Sequence, residues 1–171
     1  MAHELGITTQ PRFSDYAVLN DGDVWDDPEV ADQTPLEIAF YMKHLGPPAR
    51  GSTSDPLVTE GEELFAELGC ADCHLPDLGG LPAYTDLLLH DIAPDGAILA
   101  NTDPAVLPGE FRTPPLWGIG DTAPYLHDGS AETLQAAILS GHAREGEASS
   151  AAFAAVESSG QAALLAFLNS L

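Results

Sequence analysis

Two cysteines and a histidine stand together in Cys70-Ala-Asp-Cys73-His74, and the chain has no other cysteine. Three chemistries use thiols at this spacing. A redox dithiol wants a β-strand before it and a helix after it. The flanks here read the other way, with a helical stretch before and a Pro- and Gly-rich stretch after. A structural zinc site wants further soft ligands, and no third cysteine exists. Covalent attachment of haem c wants two thiols two residues apart and an imidazole directly after the second. The thiols bond the vinyl side of the porphyrin, and the imidazole falls over the iron as proximal ligand. Only this third demand is met in full, and one motif means one covalent haem c.

The opposite face of the iron takes His, Met, Cys or Tyr, or stays open. Of the two methionines, Met1 is terminal and Met42 reads as core on an upstream helix. His3 and His44 also lie upstream and read as surface residues. Downstream, His142 directly follows Gly141 at the end of a predicted helix, a stable mount beside a haem, and is the first candidate for sixth ligand. His127, in Tyr125-Leu-His-Asp-Gly129, and His90, in Leu89-His-Asp91, stay open as alternatives. Each also suits a hydrogen bond to a propionate or a carbonyl. Arg112, one of only four arginines, is expected to pair with a haem propionate, with a surface carboxylate as the competing partner. Trp117 and Tyr125 read equally as haem-edge packing or ordinary core.

These residues need elements to hold them. Thr34, Pro35 and Glu37 form a capping box that opens a helix stopped by Gly46-Pro47-Pro48. Thr59 and Glu62 form a second box for a helix over 60–68, which Gly69 ends directly before Cys70. Residues 75–124 carry much Pro and Gly and read as loops, with one short helix over 85–90. Fifty residues of loop in a compact domain argue for a large bound group as part of the core. Ser130 caps a helix to about Ser140, and two more follow, near 150–156 and 161–171. Strand signals are weak. Phe13, Tyr16, Leu19 and Trp25 are expected to pin the irregular first 32 residues. The fold class expected is mainly α, a class I cytochrome c-like domain with long haem-wrapping loops. Residues 1–50 read as an N-terminal extension whose helix packs on the haem domain, and 51–171 as the mono-haem domain.

The chain's formal net charge is −22. No basic footprint exists for nucleic acid. Nothing approaches the run of about 18 apolar residues that a membrane helix needs. The acids run along the whole chain. Such acidity suits either a salty habitat, where repulsion is screened within about 3 Å at 1 M salt, or a redox partner with a basic docking face. The acidic run Asp21–Glu29 lacks the ligand spacing of an EF-hand loop.

The sequence resembles the C-terminal haem domain of the di-haem oxidoreductase (thiol oxidoreductase-like) family, related to bacterial di-haem cytochrome c peroxidases and MauG-type enzymes. The resemblance runs through Glu4–Thr8, Phe40–Arg50, Gly61–His74, Pro82–Asp91, Arg112–Gly120, Tyr125–Gly129, Thr133–Leu139 and Leu164–Leu171. It implies a cytochrome c-like fold around one haem. The distal ligand of such relatives is His, Met or Tyr on the helix after the His-Asp-Gly segment, which falls near His142, one residue later than the usual spacing. It implies that His127 lines the haem without binding iron. The family's enzymes carry two haem domains, the peroxidatic haem in the N-terminal one and the electron-feeding haem in the C-terminal one. This chain has a single attachment motif.

Three functions follow as expectations. The first is one-electron transfer by a six-coordinate haem with His/His ligation. The second is the electron-feeding half or subunit of a peroxidase-like oxidoreductase whose second haem lies on another chain or segment. The third is a structural or assembly module of a multihaem complex. Covalent haem attachment places maturation in the periplasm or another extracytoplasmic space. Met-Ala-His-Glu-Leu-Gly is not a signal peptide, so an export signal is expected on the precursor.

Overall fold

The structure, a computed structural model, describes residues 28–31, 33–94 and 109–171. The four aromatic and apolar anchors expected before residue 28 lie outside this set. Two compact units are present, one ending at Gly46 and the other beginning at Pro47.

In the first unit, helix α1 spans Gln33–His44. It starts one residue ahead of the expected Thr34 cap, the Thr34 N–H reaching back to the Ala31 carbonyl at 3.0 Å. Pro35 still falls in the first turn, where its missing N–H costs nothing. The reading of Met42 as core is corrected: it is 64% exposed, and no residue of α1 is buried. His44 closes the helix by donating from Nδ1 to the Phe40 carbonyl at 2.7 Å.

In the second unit, helix α2 spans Pro56–Glu67. Its cap is Asp55, whose carboxylate accepts from the Leu57 N–H at 2.9 Å, with Pro56 at the first helical position. An Asp-Pro pair is a strong helix start, so the expected Thr59–Glu62 box lies inside the helix and Glu62 is released for another contact. Gly69, in left-handed backbone with φ 79°, ends the helix region and leads into a 3₁₀ turn over Cys70–Asp72. The short helix expected over 85–90 is instead the approach to strand β1, Leu89–Asp91, which pairs antiparallel with β2, Glu110–Arg112. The reason is non-local. Thr85 is fully buried and donates to the Thr113 carbonyl at 2.7 Å, and the Leu88 carbonyl accepts the Thr113 N–H at 2.9 Å.

Helix α3 spans Leu134–Gly141 and is capped by Thr133, whose hydroxyl accepts from the Ala136 N–H at 3.1 Å. Ser130, the expected cap, sits in the preceding turn, its N–H bonded to Asp128 at 3.0 Å. Helices α4, Glu147–Ala155, and α5, Ser158–Leu168, each begin about a turn earlier than the sequence suggests.

The second unit's core gathers Val58, Phe65, Tyr84, Leu116, Leu134, Phe153, Leu164, Phe167, Leu168 and Leu171. Helix α2 crosses α5 at Gly61. Any Cβ there would strike the Ala163 carbonyl and the Phe167 Cβ, so only glycine allows this approach. Burying each Leu or Phe of this cluster contributes about 1.5–3 kcal/mol. The fold is mainly α, as expected, and adds one small antiparallel ribbon that the sequence reading does not anticipate. Among the described residues no helix is long and apolar enough to cross a membrane.

Candidate haem site

Helix α2 and the 3₁₀ turn deliver the attachment motif. Cys70 and Cys73 are free thiols, half-buried, and the His74 N–H bonds the Cys70 carbonyl at 3.0 Å. Burial pushes the Cys70 thiol up to about 11. Burial also raises Cys73, helped by the nearby carboxylates Asp86, Glu145 and Asp72. Both are protonated at neutral pH, and conversion to thioethers removes the ionisation altogether.

His74 lies against the core, with Phe65 at 6.3 Å between ring centres. Its Nδ1 sits 3.0 Å from the Tyr84 carbonyl. A carbonyl only accepts, so Nδ1 carries the proton and Nε2 keeps a lone pair. Burial pulls the His74 pKa down to about 4, outweighing the opposite push of this hydrogen bond. The ring is therefore neutral at neutral pH, with Nε2 available to a metal.

His142 caps the C-terminus of α3. Its Nδ1 sits 3.1 Å from the Ala137 carbonyl, so the same logic leaves Nε2 as the free donor atom. Glycines crowd it on both sides. A Cβ at Gly141 would strike the Leu126 side chain, and one at Gly146 would lie 2.8 Å from the His142 Cβ. The next residues tie this corner to the ribbon. The Ala143 N–H bonds the Ile92 carbonyl at 3.1 Å, Arg144 pairs with Asp91 at 2.6 Å, and Glu145 accepts from the Asp91 N–H at 3.0 Å. The rings of His74 and His142 stand 6.4 Å apart, centre to centre, with 51° between their planes.

The other sequence candidates have different neighbours. His90 is held between two carboxylates, Nε2 to Asp86 at 2.8 Å and Nδ1 to Glu145 at 3.0 Å, with the Cys73 sulfur 3.7 Å from Nδ1. Both ring nitrogens face acceptors, which favours the protonated ring. Glu145 and then Asp86 raise its pKa. Burial pushes the Asp86 carboxyl up, but hydrogen bonds from Leu88, His90 and Thr113 outweigh it and hold it below the usual value. His127 is exposed and stacks on Phe111, 4.4 Å between centres. Arg112 is exposed at the end of β2, opposite Leu89. Trp117 donates to the Pro82 carbonyl at 2.8 Å, and Tyr125 to the Ile119 carbonyl at 2.9 Å, each pinning a loop.

The sequence reading passed over a group behind His74. Arg50 donates to Glu62 at 3.0 Å, and the Tyr84 hydroxyl donates to the other Glu62 oxygen at 2.9 Å. The Arg50 guanidinium lies 5.9 Å from the Tyr84 ring centre and 5.4 Å from that of Phe167. Burial, then Glu62, pushes the Tyr84 phenol up to about 12 and keeps it a donor. Arg50 was visible as one of four arginines, but its partners were not.

The donor set fits haem c. Cys70 and Cys73 give covalent attachment, and the imidazole of His74 follows directly, with Nδ1 on a carbonyl and Nε2 available to iron. The protein has one such site and a redox role. A hydrazine synthase structure from Kuenenia stuttgartiensis, determined under 20 bar of xenon, is similar in fold, with a TM-score of 0.62 at 19% identity. The match covers 82% of this chain and 56% of that one, so this chain spans little more than half the length of the structure it resembles. No curated protein matches the sequence. The family described as "Di-haem oxidoreductase, putative peroxidase" matches residues 6–171. With that match covering nearly the whole chain and the haem donors in place, this protein belongs to the di-haem oxidoreductase family.

Proposed function

We propose that this chain is the electron-feeding haem domain of a two-haem oxidoreductase, its haem held between His74 and His142, with the second haem on another domain or chain. One observation carries the axial assignment: the 6.4 Å between the two ring centres. An imidazole nitrogen binds a first-row metal at about 2.0–2.1 Å, so two such bonds take up roughly 4 Å. The distances from each ring centre to its own nitrogen fill the remainder. Two apolar side chains in contact would lie at a similar spacing, but both Nδ1 atoms here are tied to carbonyls, which reserves both Nε2 atoms.

When bound, the haem supplies a one-electron ferric–ferrous couple. The protein's own share is to turn the Nδ1 of each imidazole to a backbone carbonyl and to bury His74 against Phe65. A His/His site has no open position for peroxide, so peroxide chemistry falls to the other haem. Family membership over residues 6–171 and the single attachment motif support the division of labour. On this reading residues 51–171 form the mono-haem domain, residues 1–50 an extension, and maturation is extracytoplasmic. The charge of −22 would steer a partner with a basic docking face.

Visible spectroscopy and peroxide assays test the reading. The expected result is a low-spin ferric haem, no peroxide turnover by this chain alone, and turnover when a partner carrying a second haem is added. A high-spin, five-coordinate spectrum at neutral pH would overturn His/His ligation. Turnover by this chain alone would overturn the electron-feeding role.

A further inference from the structure

Tyr84 has a backbone φ of 51°, in the left-handed region that a residue with a side chain seldom occupies. Such a conformation persists only where the surroundings over-determine it. They do so here through the side chain. The ring meets Phe65 edge-on at 5.9 Å and 82°, and Phe167 at 5.6 Å and 69°. The hydroxyl is fixed by Glu62, and Glu62 in turn by Arg50. Held at both ends, the residue presents its carbonyl to His74 Nδ1 at 3.0 Å. A partner on the outer nitrogen of a ligating histidine fixes the ring's orientation and raises its basicity.

We propose that Tyr84 is a positioning residue for the proximal ligand, and that the Arg50–Glu62 pair, by anchoring its hydroxyl, sets the strength of the hydrogen bond to His74 and so the reduction potential of the haem. The inference rests on His74 as proximal ligand and is indifferent to what binds the opposite face. A more basic imidazole favours ferric iron. Loosening the anchor weakens the carbonyl bond and shifts the couple towards ferrous.

The test uses Tyr84→Phe in the haem-loaded protein. This change removes one oxygen and alters no charge. The expected result is a threefold or larger rise in the ferrous-to-ferric ratio at a fixed applied potential, a tenfold rise corresponding to about 59 mV, with haem content unchanged. A smaller shift, even with a lower melting temperature, would show that the network only supports the fold and would overturn the proposal. Glu62→Gln gives a second reading if Tyr84→Phe folds poorly, since it keeps the side chain's shape and weakens the same anchor. A proton NMR shift of the His74 Nδ1–H separates the premises. A resonance without the haem-induced displacement of an iron ligand would sink the assignment of His74 itself. A displaced resonance that does not move in Tyr84→Phe would sink only the role of Tyr84.

Discussion

His74 and His142, the two iron ligands proposed above, are held by different kinds of structure. Behind His74 stand Phe65 and Tyr84, with Phe167 packed on both, and ion pairs on this side join Arg50 to Glu62 and His90 to Asp86. His142 instead caps a two-turn helix, and the corner after it is tied to the ribbon by Asp91, Arg144 and Glu145, whose side chains are 39–54% exposed. Packing energy cannot be screened by salt, whereas exposed ion pairs are each worth little and weaken as salt rises. On the proposed ligation, the difference predicts a permanent ligand at His74 and an exchangeable one at His142.

The sharpest way to break this contrast is to remove each ligand in turn. His74→Ala should abolish recovery of folded, haem-bearing protein, read by covalent haem staining and circular dichroism. His142→Ala should keep the covalent haem and the fold but turn the ferric spectrum from low to high spin. Equal loss of folded protein in both variants would erase the asymmetry. An unchanged spectrum in His142→Ala would move the distal role to His90 or His127.

A smaller effect separates the supports. Phe167→Ala should cost about 3–5 kcal/mol of stability by leaving a cavity against Phe65 and Tyr84. Gly146→Ala should cost about 1–3 kcal/mol through crowding against His142, while raising the high-spin fraction. Denaturant unfolding followed by absorbance and by far-ultraviolet dichroism reads both. If Phe167→Ala perturbs the spin state more than Gly146→Ala, the distal corner is the stiffer of the two.

The smallest effect is on pH. His90 has a raised pKa when folded, so its bridge is whole below the ordinary histidine value of 6.5 and is lost as pH rises through the raised value. Asp86 and Glu145 are depressed, so their contributions are present above the ordinary carboxylate values and are lost as pH falls through the depressed ones. The distal corner should be firmest between those limits. A pH titration of the low-spin band should show a shallow alkaline loss that His90→Gln removes. A band equally flat in both proteins would detach His90 from the distal corner.

What the sequence revealed and concealed follows the same division. The attachment motif was legible because its chemistry is fixed by five adjacent residues. The place of His142 at a helix end was legible because a helix stop at glycine is a local pattern. Helix starts were misjudged where two caps competed: Thr59–Glu62 looked complete, but Asp55-Pro56 begins the helix and frees Glu62 for Arg50 and Tyr84. The approach to β1 read as helix because its partner, Thr113, lies far along the chain. For the same reason Arg112 drew attention and Arg50 did not. Scarcity of arginine is visible in composition, but a guanidinium's partners appear only once the chain has closed on itself.

That closure has a consequence for assembly. Gly61 of α2 and Ala163 of α5 meet across about a hundred residues of chain, so the haem unit is a long loop fastened at its neck. Closing it by packing alone means ordering everything between. With His74 and His142 on one iron, the haem becomes a cross-link inside the loop, spanning residues 74 to 142. By the loop-closure estimate used for disulfides, a link across a stretch of that size lowers the entropy of the unfolded chain by the equivalent of about 4 kcal/mol. On the proposed ligation the cofactor would thus act as a tether within the loop, and release of the distal ligand would lengthen the loop again.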